Sequence, residues 1–266
     1  MEEAVPISLE KIELIFVLML RLAGFFASAP FFNGRYINAY LKGGLSLIIA
    51  ILISYSNPGL IVGASVFENP LEYGGICIVE IIIGAMIGFA ATIIFNAIIF
   101  AGTLIDSQAG LTMATVYDPS NSMQLAITAN LYYYALIAIF LATNLHHSFI
   151  KAIYFSYELL PIGTFNVVGP TISYTITLMQ EMFLLAFKFA SPIIATMLIL
   201  DVGLGVLVRA VPQMNVFVVG FPLKLAIFFL IMIMGTDIII DNYPYIYDKT
   251  IEIIINFLRL FGVETS

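Results

Sequence analysis

One apolar stretch, from Tyr73 to Ile105, decides the class of fold. It reads YGGICIVEIIIGAMIGFAATIIFNAIIFAGTLI, contains no proline and carries Glu80 as its only charged residue. A helix of this length is about 50 Å long, whereas the hydrocarbon core of a bilayer is about 30 Å thick. The stretch therefore predicts a membrane helix that tilts, kinks or extends beyond the bilayer.

Further apolar runs surround this stretch on both sides. They are Ile12–Phe32, Gly43–Tyr55, Leu125–Leu141, Thr171–Leu200 and Val216–Ile240. Strand-like alternation is absent, so six membrane-crossing helices are predicted rather than a β-barrel. After the last run, Lys249–Phe261 has polar residues at spacings of three and four, which predicts an amphipathic tail helix on the membrane interface or on a partner.

The composition supports a polytopic all-α membrane protein. Of the 266 residues, 61% are hydrophobic and 10% are charged, against about 25% charged in soluble domains. The chain is too apolar for a soluble globular or disordered protein. With a net charge of −7 it also lacks the basic surface that nucleic-acid binding needs.

Small and charged residues within the runs need partners. Gly84 and Gly88 form a G-x-x-x-G pair that lets another helix approach closely, although glycine is also simply frequent in membrane helices. Unpaired charges are costly at membrane depth, so those in the runs indicate either structural ion pairs or a polar conduit or proton relay. These charged residues are Arg21, Glu80, Glu181, Lys188, Asp201 and Lys224.

Residues suited to catalysis or metal binding are scarce. The chain has none of the hydrolase, metalloprotease, P-loop or dinucleotide-binding motifs. His146 and His147 are adjacent, and neighbours on a helix point about 100° apart, so they are a poor metal pair. Cys77 alone cannot form an internal disulfide. The sequence predicts no enzymatic activity, cofactor or metal.

The segment Ala101–Gly110, which continues to Asp118-Pro119, differs from the apolar runs on either side. It is rich in small and polar residues. Irregular backbone at membrane depth is tolerated only where protein buries it or a wet cavity receives it. The segment is therefore either a pore-lining loop or an ordinary turn outside the membrane.

Several stretches, in matching order along the chain, resemble the FliR/SctT family of type III secretion export-gate proteins. They are Arg21 with Ser28-Ala29-Pro30, Gly102 with Asp106–Gly110, Asp118-Pro119, Leu141–His146, Leu160–Gly163, Leu204-Gly205 with Arg209–Gln213, and Asn215–Leu223. Each match is modest alone, but the ordered set covers nearly the whole chain.

This resemblance implies a fold and an assembly. The fold would be one of long bent helices, with a FliP-like part over 1–165 and a FliQ-like helical hairpin with the tail over 166–266. The protein would lie in the bacterial inner membrane, in the flagellar basal body, with FliP-like, FliQ-like and FlhB-like partners and membrane lipid. Unfolded flagellar subunits would pass through the assembled channel. An injectisome subunit is the closest alternative, and a secondary transporter is a more distant one.

The resemblance also implies residue roles. A plug loop over 110–124 would turn at Gly110. Its flexible apolar side chains, the apolar bulk of the plug, would separate around a passing unfolded chain and then seal the channel again. That bulk comes from Leu111, Met113, Val116 and Met123. The buried charges of the apolar runs, Glu80 among them, would form ion pairs between subunits. Structural or inter-subunit roles are expected for Arg21, Gly84, Gly88, Asp106, Arg209, Pro212 and Gln213.

Overall fold

The computed structural model describes residues 9–32, 37–56, 69–112, 126–163, 170–213 and 215–261. Throughout these ranges the regular structure is α-helical, without a strand, which confirms the predicted all-α class. The helices are α1 (Leu9–Ser28), α2 (Ala39–Ser56), α3 (Pro70–Ala109), α4 (Ile127–Ala142), α5 (Leu145–Leu159), α6 (Pro170–Ala210) and α7 (Val216–Phe261).

The described helices give fewer candidate membrane spans than the six predicted. Four are long and apolar enough: α2, α3, most of α6 and Val218–Gly235 of α7. A fifth results if α4 and α5 together form one broken span. The first predicted run does form a helix, α1, but Lys11, Glu13 and Arg21 make it too charged to join them. That this first run crosses the membrane stays a prediction.

Three helices are longer than a bilayer is thick. α3 has 40 residues, α6 has 41 and α7 has 46, so each is about 60–70 Å long at 1.5 Å per residue. The expectation that the third run outreaches the membrane is confirmed. Pro192 lies inside α6, and Pro222 and Pro244 lie inside α7, so these prolines do not end their helices.

The tail is the end of α7 rather than a separate helix. Its apolar face is buried within the chain through Ile253, Ile254, Phe257 and Leu258. The Phe257 ring lies 6.0 Å from that of Tyr174. The predicted position of this face, on a membrane interface or a partner, is therefore wrong, because the chain itself covers it.

The helices contribute to two compact units. Unit 1 comprises Met1–Ile93, Asn144–Thr177 and Asp248–Ser266, and unit 2 comprises Ile94–Thr143 and Leu178–Tyr247. Each unit draws on both halves of the chain, whereas the resemblance divides the chain once, near residue 165. That sequential division stays a prediction.

Unit 1 is built on the packing of α1. Phe25 contacts Phe26 and Phe149 edge to face, with ring centroids 5.4 and 6.0 Å apart, an arrangement that aromatic pairs favour. Near its N-terminal end, α1 also meets α2, where the Lys11 ammonium lies 3.7 Å from the centroid of the Tyr55 ring.

Unit 2 is built on the C-terminal part of α3. Phe95 packs edge to face on Phe140 of α4, with centroids 5.9 Å apart. Gly102 lies directly against the backbone of Ala129, and a Cβ at position 102 would overlap it. Helices α3 and α4 are therefore in backbone contact at the start of α4.

Candidate functional site

Unit 1 contains a fully buried charge cluster around Arg21. The Nε of Arg21 donates to Oε2 of Glu80 at 2.5 Å, and Nη2 donates to Oε1 at 3.1 Å. Nη1 donates to the carbonyl and hydroxyl of Ser156, and Nη2 also donates to the carbonyl of Leu160. The guanidinium lies 4.2 Å from the centroid of the Tyr157 ring. Neither side chain of the ion pair is exposed.

This cluster has the chemistry of a structural clamp. An arginine does not release its proton in proteins, so Arg21 cannot serve as a relay group. Two of its acceptors are backbone carbonyls at the C-terminal end of α5: that of Ser156, which also accepts the N–H of Leu160, and that of Leu160, the residue that follows the helix. The ion pair forms within the chain, so Arg21 and Glu80 do not need the inter-subunit partners that were expected for them.

Gly84 and Gly88 provide the close approach that the clamp requires. A Cβ at Gly84 would overlap the carbonyl of Arg21, and one at Gly88 would overlap the hydroxyl of Ser28. The Ser28 hydroxyl donates to the carbonyl of Ala85 at 2.8 Å. The G-x-x-x-G pair therefore receives α1 of the same chain.

Asp106 is buried at the end of α3, in unit 2, with 1% of its surface exposed. Its carboxylate accepts the backbone N–H of Thr128 at 3.0 and 3.1 Å and that of Ala129 at 3.4 Å. The positive end of the α4 dipole also favours a carboxylate there. Asp106 was expected to have a structural or inter-subunit role, and its contacts are within the chain.

A second ion pair in unit 2 joins α6 to α7. The Lys224 ammonium lies 2.7 and 2.9 Å from the two carboxylate oxygens of Asp201. The amide of Gln108 donates to the same carboxylate at 3.1 Å. The Lys224 side chain is 17% exposed and the Asp201 side chain is 37% exposed. The pair borders a cleft of about 300 Å³, whose other lining residues are Leu204, Gly205, Val208, Gly220 and Phe221.

The predicted plug loop is only partly within the described residues. Gly110 has a φ of +80°, as the predicted turn requires. Leu111 follows it in a turn. Met113, Val116 and Met123 lie outside the described residues, so their proposed role stays a prediction.

The predicted bend residues are near the junction of α6 and α7. Arg209 lies in the last turn of α6, and Pro212 and Gln213 follow in a turn; all three are exposed. α6 ends at Ala210 and α7 begins at Val216. No described contact assigns these residues a role, so their contribution to assembly stays a prediction.

No group of three His, Cys, Asp or Glu side chains suited to a metal occurs among the described residues. The rings of His146 and His147 are in contact at a tilted angle of 51°, with centroids 4.2 Å apart.

Some members of these clusters were not found from the sequence. Ser156 and Tyr157 gave no signal, and Leu160 was noted only as part of a family-like stretch. Two of the groups involved are backbone carbonyls, and the third is one tyrosine among 14. The contact of Asp106 with the start of α4 had a weak sequence signal, which is the lack of a capping residue before that helix. Ala126 directly precedes α4 and cannot cap it, so a distant acceptor was needed.

Comparison with known proteins identifies the family. Residues 12–250 match the family described as "Bacterial export proteins, family 1". The chain belongs to this family. It is 30% identical to "Flagellar biosynthetic protein FliR" of Bacillus subtilis (strain 168), over 93% of this chain and 95% of that protein. It is also 30% identical to the protein of the same name in Escherichia coli (strain K12), over 81% of each chain.

The family also includes proteins named for another system. The chain is 33% identical to "Yop proteins translocation protein T" of Yersinia pestis, over 58% of this chain and 60% of that protein. Family membership and the long apolar helices together establish a membrane protein of a bacterial export family. They confirm the resemblance drawn from the ordered sequence stretches.

Proposed function

We propose that this chain is a subunit of the flagellar type III export gate in the inner membrane. With FliP-like and FliQ-like subunits it would form the channel through which unfolded flagellar subunits pass, next to a FlhB-like protein. The observation that carries the proposal is the 30% identity to a FliR protein over 93% of this chain and 95% of the relative.

The surfaces of the long helices support a role inside an assembly. In the most apolar 18-residue stretch of α6, only 11% of the residues are buried, and in that of α7 only 17% are. The corresponding share for α3 is 56%. Large apolar side chains are open on both helices, including Ile199 at 72% and Ile233 at 77% exposure. Such faces need lipid or neighbouring subunits to cover them.

The electrostatics support a passage rather than a reaction. Arg21 is saturated by Glu80 and by carbonyl groups, and Asp201 is occupied by Lys224 and Gln108. These charges hold helices together, and none has the geometry of an acid and base facing a substrate. The channel would supply a route, with the plug loop over 110–124 sealing it between export events.

The injectisome is the alternative system. The identity to "Yop proteins translocation protein T" is slightly higher, at 33%, but it covers 58% of this chain rather than 93%. Coverage of nearly the full chain favours the flagellar system. Membership of an export family gives no support to a secondary transporter.

Deletion of the gene, followed by complementation, tests the proposed system. We expect loss of motility and loss of secreted rod, hook and filament subunits, both restored by the wild-type gene. An affinity tag on the chain should recover the FliP-like, FliQ-like and FlhB-like subunits. Normal secretion of flagellar subunits by the deletion strain would refute the proposal, and loss of injectisome substrates alone would assign the chain to the alternative system.

The plug loop has a separate test. Deletion of residues 111–120 should raise ion leakage in cells that express the complex, because a dry apolar constriction resists ion passage. Replacement of the same ten residues by a Gly/Ser stretch of equal length is the matched control for loop length and should leak as well. Unchanged ion permeability with normal assembly would contradict the plug.

A further inference from the structure

Asp106 takes part in ending α3, because its backbone carbonyl accepts a hydrogen bond from a residue beyond the helix. The N–H of Leu111 donates to the carbonyl of Asp106 at 3.1 Å, and the N–H of Gly110 donates to the carbonyl of Ser107 at 3.2 Å. Gly110 takes the left-handed conformation, with φ +80°. This pair of bonds is the Schellman arrangement, which ends a helix by satisfying its last carbonyls.

The N-terminus of α4 lacks a cap of its own. The residue at its N-cap position is Ala126, which has no side chain able to accept a hydrogen bond. Alanine is among the poorest residues at this position. A local cap would accept the N–H of the second or third helical residue. These residues are Thr128 and Ala129, the two whose N–H groups reach the Asp106 carboxylate.

Gly102 makes this distant cap possible. It precedes Asp106 by four residues on α3, so both lie on the same face of that helix. Because Gly102 has no side chain, the backbone of Ala129 can lie directly against it. The same contact brings the first turn of α4 within hydrogen-bonding distance of the carboxylate.

We propose that Asp106 is the positioning residue that holds both ends of the connection between α3 and α4. Its backbone carbonyl closes the end of α3, and its carboxylate caps the start of α4, which begins 21 residues further along the chain, at Ile127. Gly102 sets the distance between the two helices. The inference rests on the proposed function in one respect: the connection contains the loop assigned to the channel seal, so Asp106 would determine where that loop leaves and rejoins the helices.

Hydrogen exchange on the intact, purified membrane complex tests the contact directly. In Asp106→Ala we expect the amides of Thr128 and Ala129 to exchange about tenfold faster, the effect of losing an N-cap acceptor. Asp106→Asn keeps one acceptor oxygen and should show a smaller increase. Ser107→Ala is the matched control, because the Ser107 hydroxyl donates to the carbonyl of Leu104 in its own helix and to no other group among the described residues.

Several outcomes overturn the inference. Unchanged exchange at Thr128 and Ala129 in both Asp106 variants would do so. So would an equal increase in Ser107→Ala, which would mean that any change at the end of α3 loosens α4. If Asp106→Ala yields no complex, Asp106→Asn against Ser107→Ala decides the matter by the same criterion.

Ion leakage in cells separates this inference from the proposed function. Asp106→Ala and the 111–120 deletion should both raise leakage, with Asp106→Asn in between and Ser107→Ala at the wild-type level. Leakage in the deletion but not in Asp106→Ala would overturn the positioning role while the plug stands. Faster amide exchange in Asp106→Ala, with no leakage in that variant or in the 111–120 deletion, would support the Asp106 contact and contradict the plug.

Discussion

Two ion pairs of this chain join one helix to another but differ in burial. Arg21–Glu80 is fully buried and every donor around it points to an acceptor of the same chain. Asp201–Lys224 is partly exposed beside a cleft. A buried pair whose partner is removed leaves an uncompensated charge, whereas a partly exposed one regains water. The first pair therefore holds the fold, and the second can be altered at little cost to it.

The largest effect is expected at the buried pair. Arg21→Ala should destabilise unit 1 by about 3–5 kcal/mol, because it leaves the Glu80 carboxylate buried without a partner. The measurement is the amount of folded protein recovered from membranes and its thermal unfolding. The double variant Arg21→Met with Glu80→Met removes both charges together and should recover much of the loss. A double variant as unstable as Arg21→Ala would show that the pair is not what makes the cluster important.

A somewhat smaller effect is expected where the backbone approach allows the pair to form. Gly84→Ala should destabilise the protein by about 1–3 kcal/mol, because the new Cβ overlaps the carbonyl of Arg21. Gly74→Ala on the same helix is the control, since a Cβ there meets open space and alanine is the better helix former. Thermal unfolding of the two variants compares them. Equal stability would mean that α1 and α3 can move apart freely.

The partly exposed pair should respond weakly. Asp201→Asn keeps the size of the side chain and an acceptor for Lys224, and should change stability by about 0–1 kcal/mol. The effect should shrink further at high salt, which screens exposed charges. Thermal unfolding at low and high salt measures both. A loss as large as that of Arg21→Ala would remove the distinction between the two pairs.

The smallest effect on the fold is expected at an exposed charge. Arg209→Ala should leave the thermal unfolding of the chain unchanged, because Arg209 is exposed in the last turn of α6. It should instead lower the recovery of partner subunits with the tagged chain, if Arg209 binds a neighbouring carboxylate. Arg209→Lys keeps the charge and is the control. Normal co-purification in Arg209→Ala would argue against that role.

Much of the helical framework was predictable from local pattern. The overlong third run became α3, and the spacing of Gly84 and Gly88 correctly indicated a close helix approach. Prediction failed for the partner of Arg21, which was expected in another subunit, whereas Arg21 is buried against Glu80 of the same chain. It failed for the tail as well, because an amphipathic face does not reveal whether lipid, a partner or the chain itself covers it.

The sequence by itself determined an all-α membrane protein of an export family, because apolar length, glycine spacing and ordered motifs are properties of nearby residues. The tertiary structure alone decided which groups meet. Arg21 finds Glu80 across 59 positions and Ser156 across 135, and Asp106 caps a helix that begins beyond a loop. Such contacts depend on how long helices pack, since a side chain and a distant backbone carbonyl or amide have no spacing that links them in the sequence.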